Sequence, residues 1–432
     1  MDKFIIRGGM PLRGTMQPSG NKNAALPMMA ACLLTDEPIT LHNMPDIEDT
    51  RTMAKLMQSL GVEITKDALT STWTFKAKNI TPGDLDPDLC RQIRASILLA
   101  GPMLARFGVL ELPPPGGDVI GRRRVDTHIL ALQKLGAQFK YEDYFKFSTR
   151  GLVGADILLD EASVTATENT IMAAVLAKGT THIHNAASEP HIQQLCQLLN
   201  KMGARIDNIG SNVLSIEGVE KLHGTEFSIG PDYLEVISFV GATVVTGGEI
   251  RIKNAGIEYL RMIQLVLKRL GVEIIFEGDD ILIPSNQKLV IEPDLGNAIP
   301  EISVMPWPAF PTDLMSIAIV IATQAKGTIL FHDWMYPSRM FFIDKLVSMG
   351  AQIILCDPHR CIVNGPTQLN AEKLDSPDIR AGIALVLAAL SAKGESTIRN
   401  VAQIDRGYER IEEKLQLLGA DIVRKQTFTS KD

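Results

Sequence analysis

The sequence has no excess of positive charge. Forty-three Lys and Arg stand against 50 Asp and Glu, a net charge of −7, which argues against general nucleic-acid affinity. An acidic protein can still hold a local basic pocket for an anionic substrate, so the total does not decide that question. Long apolar runs are missing too. Stretches such as Ile383 to Leu390 are far too short to span a bilayer. Cysteine is sparse, five in all. Cys32, Cys90, Cys196, Cys356 and Cys361 are scattered, with neither a metal spacing nor a disulfide framework, which suits a reducing cytoplasm. No G-x-G-x-x-G or P-loop pattern occurs, which sets aside a doubly wound nucleotide fold. Met1-Asp2-Lys3-Phe4 opens directly into structured-looking sequence, so no signal peptide is expected. What remains is a soluble, globular composition, 45% hydrophobic and 22% charged, in a chain of 432 residues that is long enough for two or three domains.

The chain repeats itself. A helix ending in Leu or Met, then Gly, then Ala or Val, then a strand, recurs at Gly61, Gly136, Gly203, Gly271, Gly350 and Gly419. The gaps are 75, 67, 68, 79 and 69 residues, so the phrase marks six units of about 72 residues that tile the chain. The glycine stops a helix by accepting a left-handed conformation. The strand after it alternates polar and apolar residues (Glu63-Ile64, Gln138-Phe139, Arg205-Ile206, Glu273-Ile274, Gln352-Ile353, Asp421-Ile422), the pattern of a half-exposed strand. Earlier in the units lies a helix rich in Ala, Leu, Ile and Val, then a β-branched strand that often ends in Asn, as at Asn43, Asn185, Asn254 and Asn400. A helix apolar all round must be buried. Six such helices with strands outside predict an α/β fold of two inside-out bundles with mixed sheets, three units in each.

Charged and capping residues gather where these helices begin. Ser19-Gly20-Asn21-Lys22-Asn23 opens the first buried helix, and Arg91 and Arg94 lie in the second. Ser163-Val164-Thr165 opens the third, Pro231-Asp232 the fourth, Phe310 to Asp313 the fifth and Asp378-Ile379-Arg380 the sixth. The amphipathic helices begin at Arg123 and Asp126, at Glu189, at Arg339 and at Asp405-Arg406. Helix N-termini carry free N–H groups and about half a positive charge, so several facing one cleft would suit a polyanion. Asp232 and Asp378 can equally be plain helix caps. Lys22 and Arg94 oppose the helix dipole and call for an anion beside them. Pro113-Pro114-Pro115-Gly116-Gly117-Asp118 combines rigid prolines, a flexible Gly-Gly and one carboxylate. That suits a mobile lid carrying an acid, or an ordinary surface loop.

Several motifs in one order resemble a known family. They are Ser-Gly-x-Lys-Asn-Ala-Ala-Leu-Pro at Ser19 to Pro27, Arg-Ala-Ser-Ile at Arg94 to Ile97, and Arg-x-Val-Asp-x-His at Arg123 to His128. Ser163-Val164, Pro-Ala-Phe-Pro-Thr-Asp at Pro308 to Asp313, and Ile-Asp-Arg-Gly-Tyr-Glu-Arg-Ile at Ile404 to Ile411 complete the set. From end to end the chain resembles the UDP-N-acetylglucosamine enolpyruvyl transferases. The resemblance implies the enolpyruvyl transferase fold, a two-domain inside-out α/β barrel. It divides the chain into residues 1–21 with 233–432, and residues 22–232 with the lid loop 113–121.

The resemblance also implies a reaction, in which phosphoenolpyruvate gives its enolpyruvyl group to the sugar of UDP-N-acetylglucosamine in the cytoplasm. Lys22, Asn23, Arg339, Arg380 and Arg406 would contact phosphoenolpyruvate. Arg94, Arg123, Arg124, Val125, Asp126, Thr127, Ser163, Val164 and Met335 would frame the UDP-sugar, with Asp313 on the attacking hydroxyl. Asp118, Asp313, Lys22 and Arg406 would carry the chemistry. No metal, cofactor, nucleic acid or membrane is implied. Many family members carry cysteine at the position of Asp118 and some carry aspartate. Proton transfer remains open to aspartate, whereas a thiol adduct does not. Arg124 stands where proline is common and Thr127 where leucine is common. Glu161, Thr165, Ser188 and Tyr233 also depart from the usual pattern, the last two replacing arginines. A 3-phosphoshikimate 1-carboxyvinyltransferase of the same fold and a non-catalytic UDP-sugar-binding paralogue are the competing readings.

Overall fold

The structure, a computed structural model, describes residues 2–83, 85–118, 120, 121 and 123–426. The chain divides into two units. The first is Met1–Ser19, Val119–Arg122 and Pro231–Asp432, and the second is Gly20–Asp118 and Arg123–Gly230. Both crossings fall two residues before the divisions expected after residues 21 and 232, and the loop 113–121, expected whole in the second unit, is divided after Asp118. Asn21 N donates to Gly230 O inside the second unit, and Asp232 N donates to Ser19 O inside the first.

In the first unit three apolar helices, Tyr233–Thr246, Met315–Gln324 and Ile379–Ser391, pack on one another. Every residue from Ile379 to Leu390 is buried, because no face of that helix carries enough polar side chains to meet water. Each fully buried Leu, Ile or Val contributes roughly 1.5–3 kcal/mol of transfer free energy, which outweighs the modest helix propensity of the β-branched residues. In the second unit Ala100–Phe107 packs on Val164–Ala174, and Lys22–Ala31 packs on the 3-10 turn Arg94–Leu99. Each unit has its own hydrophobic core.

The described residues form six sheets, three to a unit. Five have four strands, with one parallel pair and two antiparallel pairs, and the sixth has three antiparallel strands. The strand after each repeat glycine lies at a sheet edge in all six, which accounts for its polar character. The fourth of these is Ile275–Glu277, starting later than the Glu273-Ile274 expected from sequence. The Gln287 side chain accepts from Glu273 N at 2.8 Å and donates to Glu273 O at 3.0 Å, so a side chain takes the place of a ladder partner.

The repeat residues share a backbone reason. All six glycines have φ between +80° and +101°, and Asn43, Asn185, Asn254 and Asn400 have φ of 55°, 58°, 47° and 57°. These are left-handed positions where Gly and Asn are tolerated best. Three of the asparagines also donate to a carbonyl on a neighbouring segment: Asn43 to Ile229, Asn185 to Leu159 and Asn400 to Ser376.

Candidate active site

In the second unit, Lys22 is the first residue of helix Lys22–Ala31. That helix is capped by Asn21, whose side chain accepts from Ala24 N at 3.0 Å. The Lys22 ammonium would oppose the helix dipole. The counter-charge is Asp49, from helix Glu48–Ser59, whose carboxylate lies 2.6 Å from Nζ. Both side chains are buried, so the pair sits where charges interact strongly and neither could be left without a partner cheaply. Asn23, next to Lys22, is half-buried.

Arg94 opens the 3-10 turn Arg94–Leu99, and its guanidinium donates to the carbonyls of Arg123 and Arg124 at 3.2 and 2.6 Å. It therefore holds the backbone of the Arg123–Thr127 stretch. The Gly116-Gly117 pair is less a flexible joint than a close approach. Gly116 N donates to Cys90 O. A Cβ at Gly116 would fall 1.6 Å from Arg91 O, and one at Gly117 would fall 2.9 Å from Arg94 Cβ. Only glycine fits so near another backbone. Asp118 follows directly and is half-buried.

Helix Asp126–Lys134 begins after Val125. In its first turn the Thr127 hydroxyl donates to Asp160 Oδ1 at 2.7 Å, while the Arg124 guanidinium donates to Asp160 Oδ2 at 2.7 Å. These donors hold the Asp160 carboxyl below the usual carboxylate range, the Thr127 hydrogen bond most of all. Arg124 also reaches Asp126 at 3.4 Å and Glu161 at 4.0 Å. Ser163 caps helix Val164–Ala174 by accepting from Ala166 N at 3.4 Å. Behind this surface His128 is fully enclosed. The Asn169 carboxamide accepts from Gly101 N and donates to Ile97 O and to His128 Nδ1, so His128 Nε2 carries the hydrogen and donates to Thr165 Oγ1 at 3.0 Å. Burial, helped by the nearby Arg94 charge, lowers the His128 pKa to about 3 and keeps the ring neutral.

In the first unit, Asp313 lies in the short turn Thr312–Leu314 before helix Met315–Gln324. Its two carboxylate oxygens are split between two arginines. Arg339 donates to Oδ1 at 2.9 Å, and Arg380 Nη2 lies 2.9 Å from Oδ2. Both guanidiniums are buried, at 3% and 6% side-chain exposure, while Asp313 is 27% exposed. Arg339 Nε is buried with no hydrogen-bond partner among the described residues. That Arg339 donor is open to a further anion. Arg380 stands in the first turn of helix Ile379–Ser391. There Asp378 acts as an ordinary cap, accepting from Arg380 N and Ala381 N at 2.8 and 3.0 Å. Asp232 likewise caps helix Tyr233–Thr246 by accepting from Leu234 N.

Met335 sits beside this cluster on a turn built by Asp333. The fully buried Asp333 carboxylate accepts from Met335 N, Tyr336 N and the Thr312 hydroxyl, so one side chain fixes both the Met335 turn and the residue next to Asp313. Burial raises its pKa against those donors. Arg406 follows a separate helical turn, Ala402–Asp405, and not the amphipathic helix expected at Asp405-Arg406. That helix begins at Ile411, after Arg410 takes φ of 43° and breaks the run. Arg406 donates to Gln403 at 3.2 Å. Its neighbour Asp405 is gripped by Arg424, which also holds Glu412 at 2.6 Å. Sequence reasoning did not find Asp49, Asp160 or Asp333. They are single carboxylates outside any motif, and nothing local marks their partners.

The profile described as EPSP synthase (3-phosphoshikimate 1-carboxyvinyltransferase) matches residues 6–415. A Bradyrhizobium diazoefficiens protein named UDP-N-acetylglucosamine 1-carboxyvinyltransferase is 54% identical, over 98% of this chain and 98% of that protein. The chain belongs to the enolpyruvyl transferase family. Relatives with the same name in Treponema denticola and Bacteroides thetaiotaomicron are 53% and 49% identical. They cover 99% and 98% of this chain and the whole of each relative. Among solved structures, the enolpyruvyl transferase NikO from Streptomyces tendae superposes with a TM-score of 0.88 at 23% identity, covering 99% of both chains. EPSP synthase from Acinetobacter baumannii superposes with a TM-score of 0.75 at 17% identity, covering 99% of this chain and all of that one. At those identities the likeness is one of fold, and it is the enolpyruvyl transferase fold. No helix among the described residues is long and apolar enough to cross a membrane.

Proposed function

We propose that this chain transfers the enolpyruvyl group of phosphoenolpyruvate to the 3-hydroxyl of UDP-N-acetylglucosamine, with release of phosphate. The observation that carries the reading is Asp313, a carboxylate with each oxygen on a separate buried guanidinium, in a chain whose relatives at about half identity bear the name of that activity. The chemistry needs a proton acceptor for the hydroxyl, a proton donor at C3 and cations for phosphate and carboxylate. The sugar oxygen bonds to C2 as C3 takes a proton, giving a tetrahedral adduct. C3 then returns the proton, the C2–O bond to phosphate breaks and phosphate leaves.

In this reading Asp313 takes the hydroxyl proton and Asp118 serves C3. Lys22, Asn23, Arg339, Arg380 and Arg406 hold the donor's phosphate and carboxylate. Arg123 to Thr127, Ser163, Val164 and Met335 frame the nucleotide, and Arg94 supports that frame through the carbonyls it binds. The product feeds peptidoglycan, as its first committed step, in the cytoplasm, and so bears on cell shape and division.

Phosphate release is the test, with phosphoenolpyruvate and either UDP-N-acetylglucosamine or 3-phosphoshikimate as acceptor. Release with the first acceptor alone is expected. Release with the second alone, or binding of UDP-N-acetylglucosamine without release, would overturn the reading.

A further inference from the structure

We propose that Asp160 is a positioning residue for the sugar nucleotide, tying the Arg123–Thr127 stretch to the turn that opens helix Val164–Ala174. The inference rests on the reading of those two stretches as the nucleotide's frame.

Asp160 projects from a fixed point. Leu159 N donates to His184 O at 3.1 Å, and Asn185 donates to Leu159 O at 3.0 Å, so the residue before Asp160 is bound on both sides. Beyond it, Ser163 N donates to Glu161 O at 2.8 Å, and Ser163 begins the capped helix. From this short bridge one carboxylate reaches two donors on another element, Thr127 through Oδ1 and Arg124 through Oδ2, both at 2.7 Å. Thr127 is 1% exposed, so its hydroxyl has little water to turn to, and the hydrogen bond holds the first turn of the helix in place. Arg94 makes a second, independent tie to the same stretch through its carbonyls. Arg124, Asp126 and Asp160 line an open groove of about 460 Å3, with Ile129 and Leu130 as its apolar wall.

The tie depends on this chain's own residues. Proline or leucine at 124 and 127 would offer no side-chain donor, so the carboxylate would have neither partner. Arg124 and Thr127 meet on one acceptor and act as a unit. That unit fixes the nucleotide frame.

The test compares Asp160→Ala and Asp160→Asn with the unaltered enzyme. Each substrate is varied in turn, and UDP-N-acetylglucosamine binding is measured by calorimetry without phosphoenolpyruvate. Losing two charge-assisted contacts is expected to weaken nucleotide affinity and raise its KM by about tenfold or more, with kcat and the phosphoenolpyruvate KM within about twofold. Asp160→Asn, which keeps an oxygen for Thr127 and turns an amide toward Arg124, falls between. In an Arg124→Pro/Thr127→Leu background, Asp160→Ala is expected to add little, because its partners are already gone. Unchanged affinity in Asp160→Ala overturns the proposal while phosphate release by the parent enzyme still supports the function. A fall in kcat and thermal midpoint with no KM split overturns it too, as the mark of a merely structural residue. A parent enzyme that releases no phosphate with UDP-N-acetylglucosamine removes the function and this inference together.

Discussion

The Lys22 ammonium lies 2.6 Å from the Asp49 carboxylate, and both side chains are almost wholly shut off from solvent. A cation at a helix N-terminus is thereby balanced from within the fold, and the pair can offer a fixed positive group to a substrate anion. Lys22→Ala is expected to lose at least about a hundredfold in kcat/KM. It also leaves a buried carboxylate without this counter-ion, which costs up to about 3–5 kcal/mol of stability. Lys22→Ala/Asp49→Ala is expected to recover much of the thermal midpoint and none of the activity. Melting curves beside steady-state rates separate the two effects, and near-normal kcat/KM in Lys22→Ala would remove Lys22 from the site.

Arg406 tests the donor-binding role from the first unit. It is half-buried, and the turn that carries it is held independently by Arg424 on Asp405. Arg406→Ala is expected to reduce kcat/KM about a hundredfold or more. Full activity would show that it binds no substrate anion.

Asp118 predicts a drug response. A thiolate is a strong nucleophile toward an epoxide and a carboxylate a poor one. The parent enzyme is expected to turn over and to resist fosfomycin, the epoxide that alkylates cysteine-type relatives at this position. Asp118→Cys is expected to keep activity and gain time-dependent inactivation, whereas Asp118→Asn loses turnover because an amide supplies no comparable proton. Inactivation time courses with mass spectrometry decide the matter. A covalent adduct on Asp118 itself, or full activity in Asp118→Asn, contradicts the assignment.

His128 sets an acid limit on stability. Its folded pKa of about 3 lies below the value near 6.5 of an exposed imidazole. The unfolded chain therefore binds a proton that the folded chain refuses. Stability from this group is complete above about pH 6.5 and is lost as pH falls toward 3, at up to about 1.4 kcal/mol per pH unit. Denaturation midpoints at several pH values are expected to fall less steeply for His128→Gln. An equal slope would mean that His128 is not the group responsible.

Glu168 acts with the opposite sign. Its carboxyl is buried in helix Val164–Ala174, and Oε1 has no hydrogen-bond partner among the described residues. Burial, with the Glu189 charge as a lesser cause, raises its pKa well above the usual value. The folded state keeps a proton that the unfolded state gives up, so this group costs stability as pH rises above about 4.5. Glu168→Gln is expected to melt higher than the parent at pH 7, by a margin that shrinks toward pH 4. A lower midpoint at pH 7 would show that the fold stabilises the ionised carboxylate after all.

The sequence determined those features whose cause is local. A helix that ends on a left-handed residue favours glycine at that position whatever surrounds it, so the six repeat glycines could be read one by one. Apolar helices had to be buried, and Asp232 and Asp378 could cap their helices because a cap bonds only two or three residues onward. The tertiary structure decided which distant side chains meet. Thr127 and Asp160 are 33 residues apart, Arg339 and Asp313 are 26 apart, and Asp333 fixes the Met335 turn and Thr312 at once. A carboxylate looks the same in sequence whether it faces water or a buried guanidinium. Only the packing of helices around the core removes the water from Lys22 and brings Asp49 within 3 Å of it, and only the fold carries the exposed Asp160 to Thr127 and Arg124.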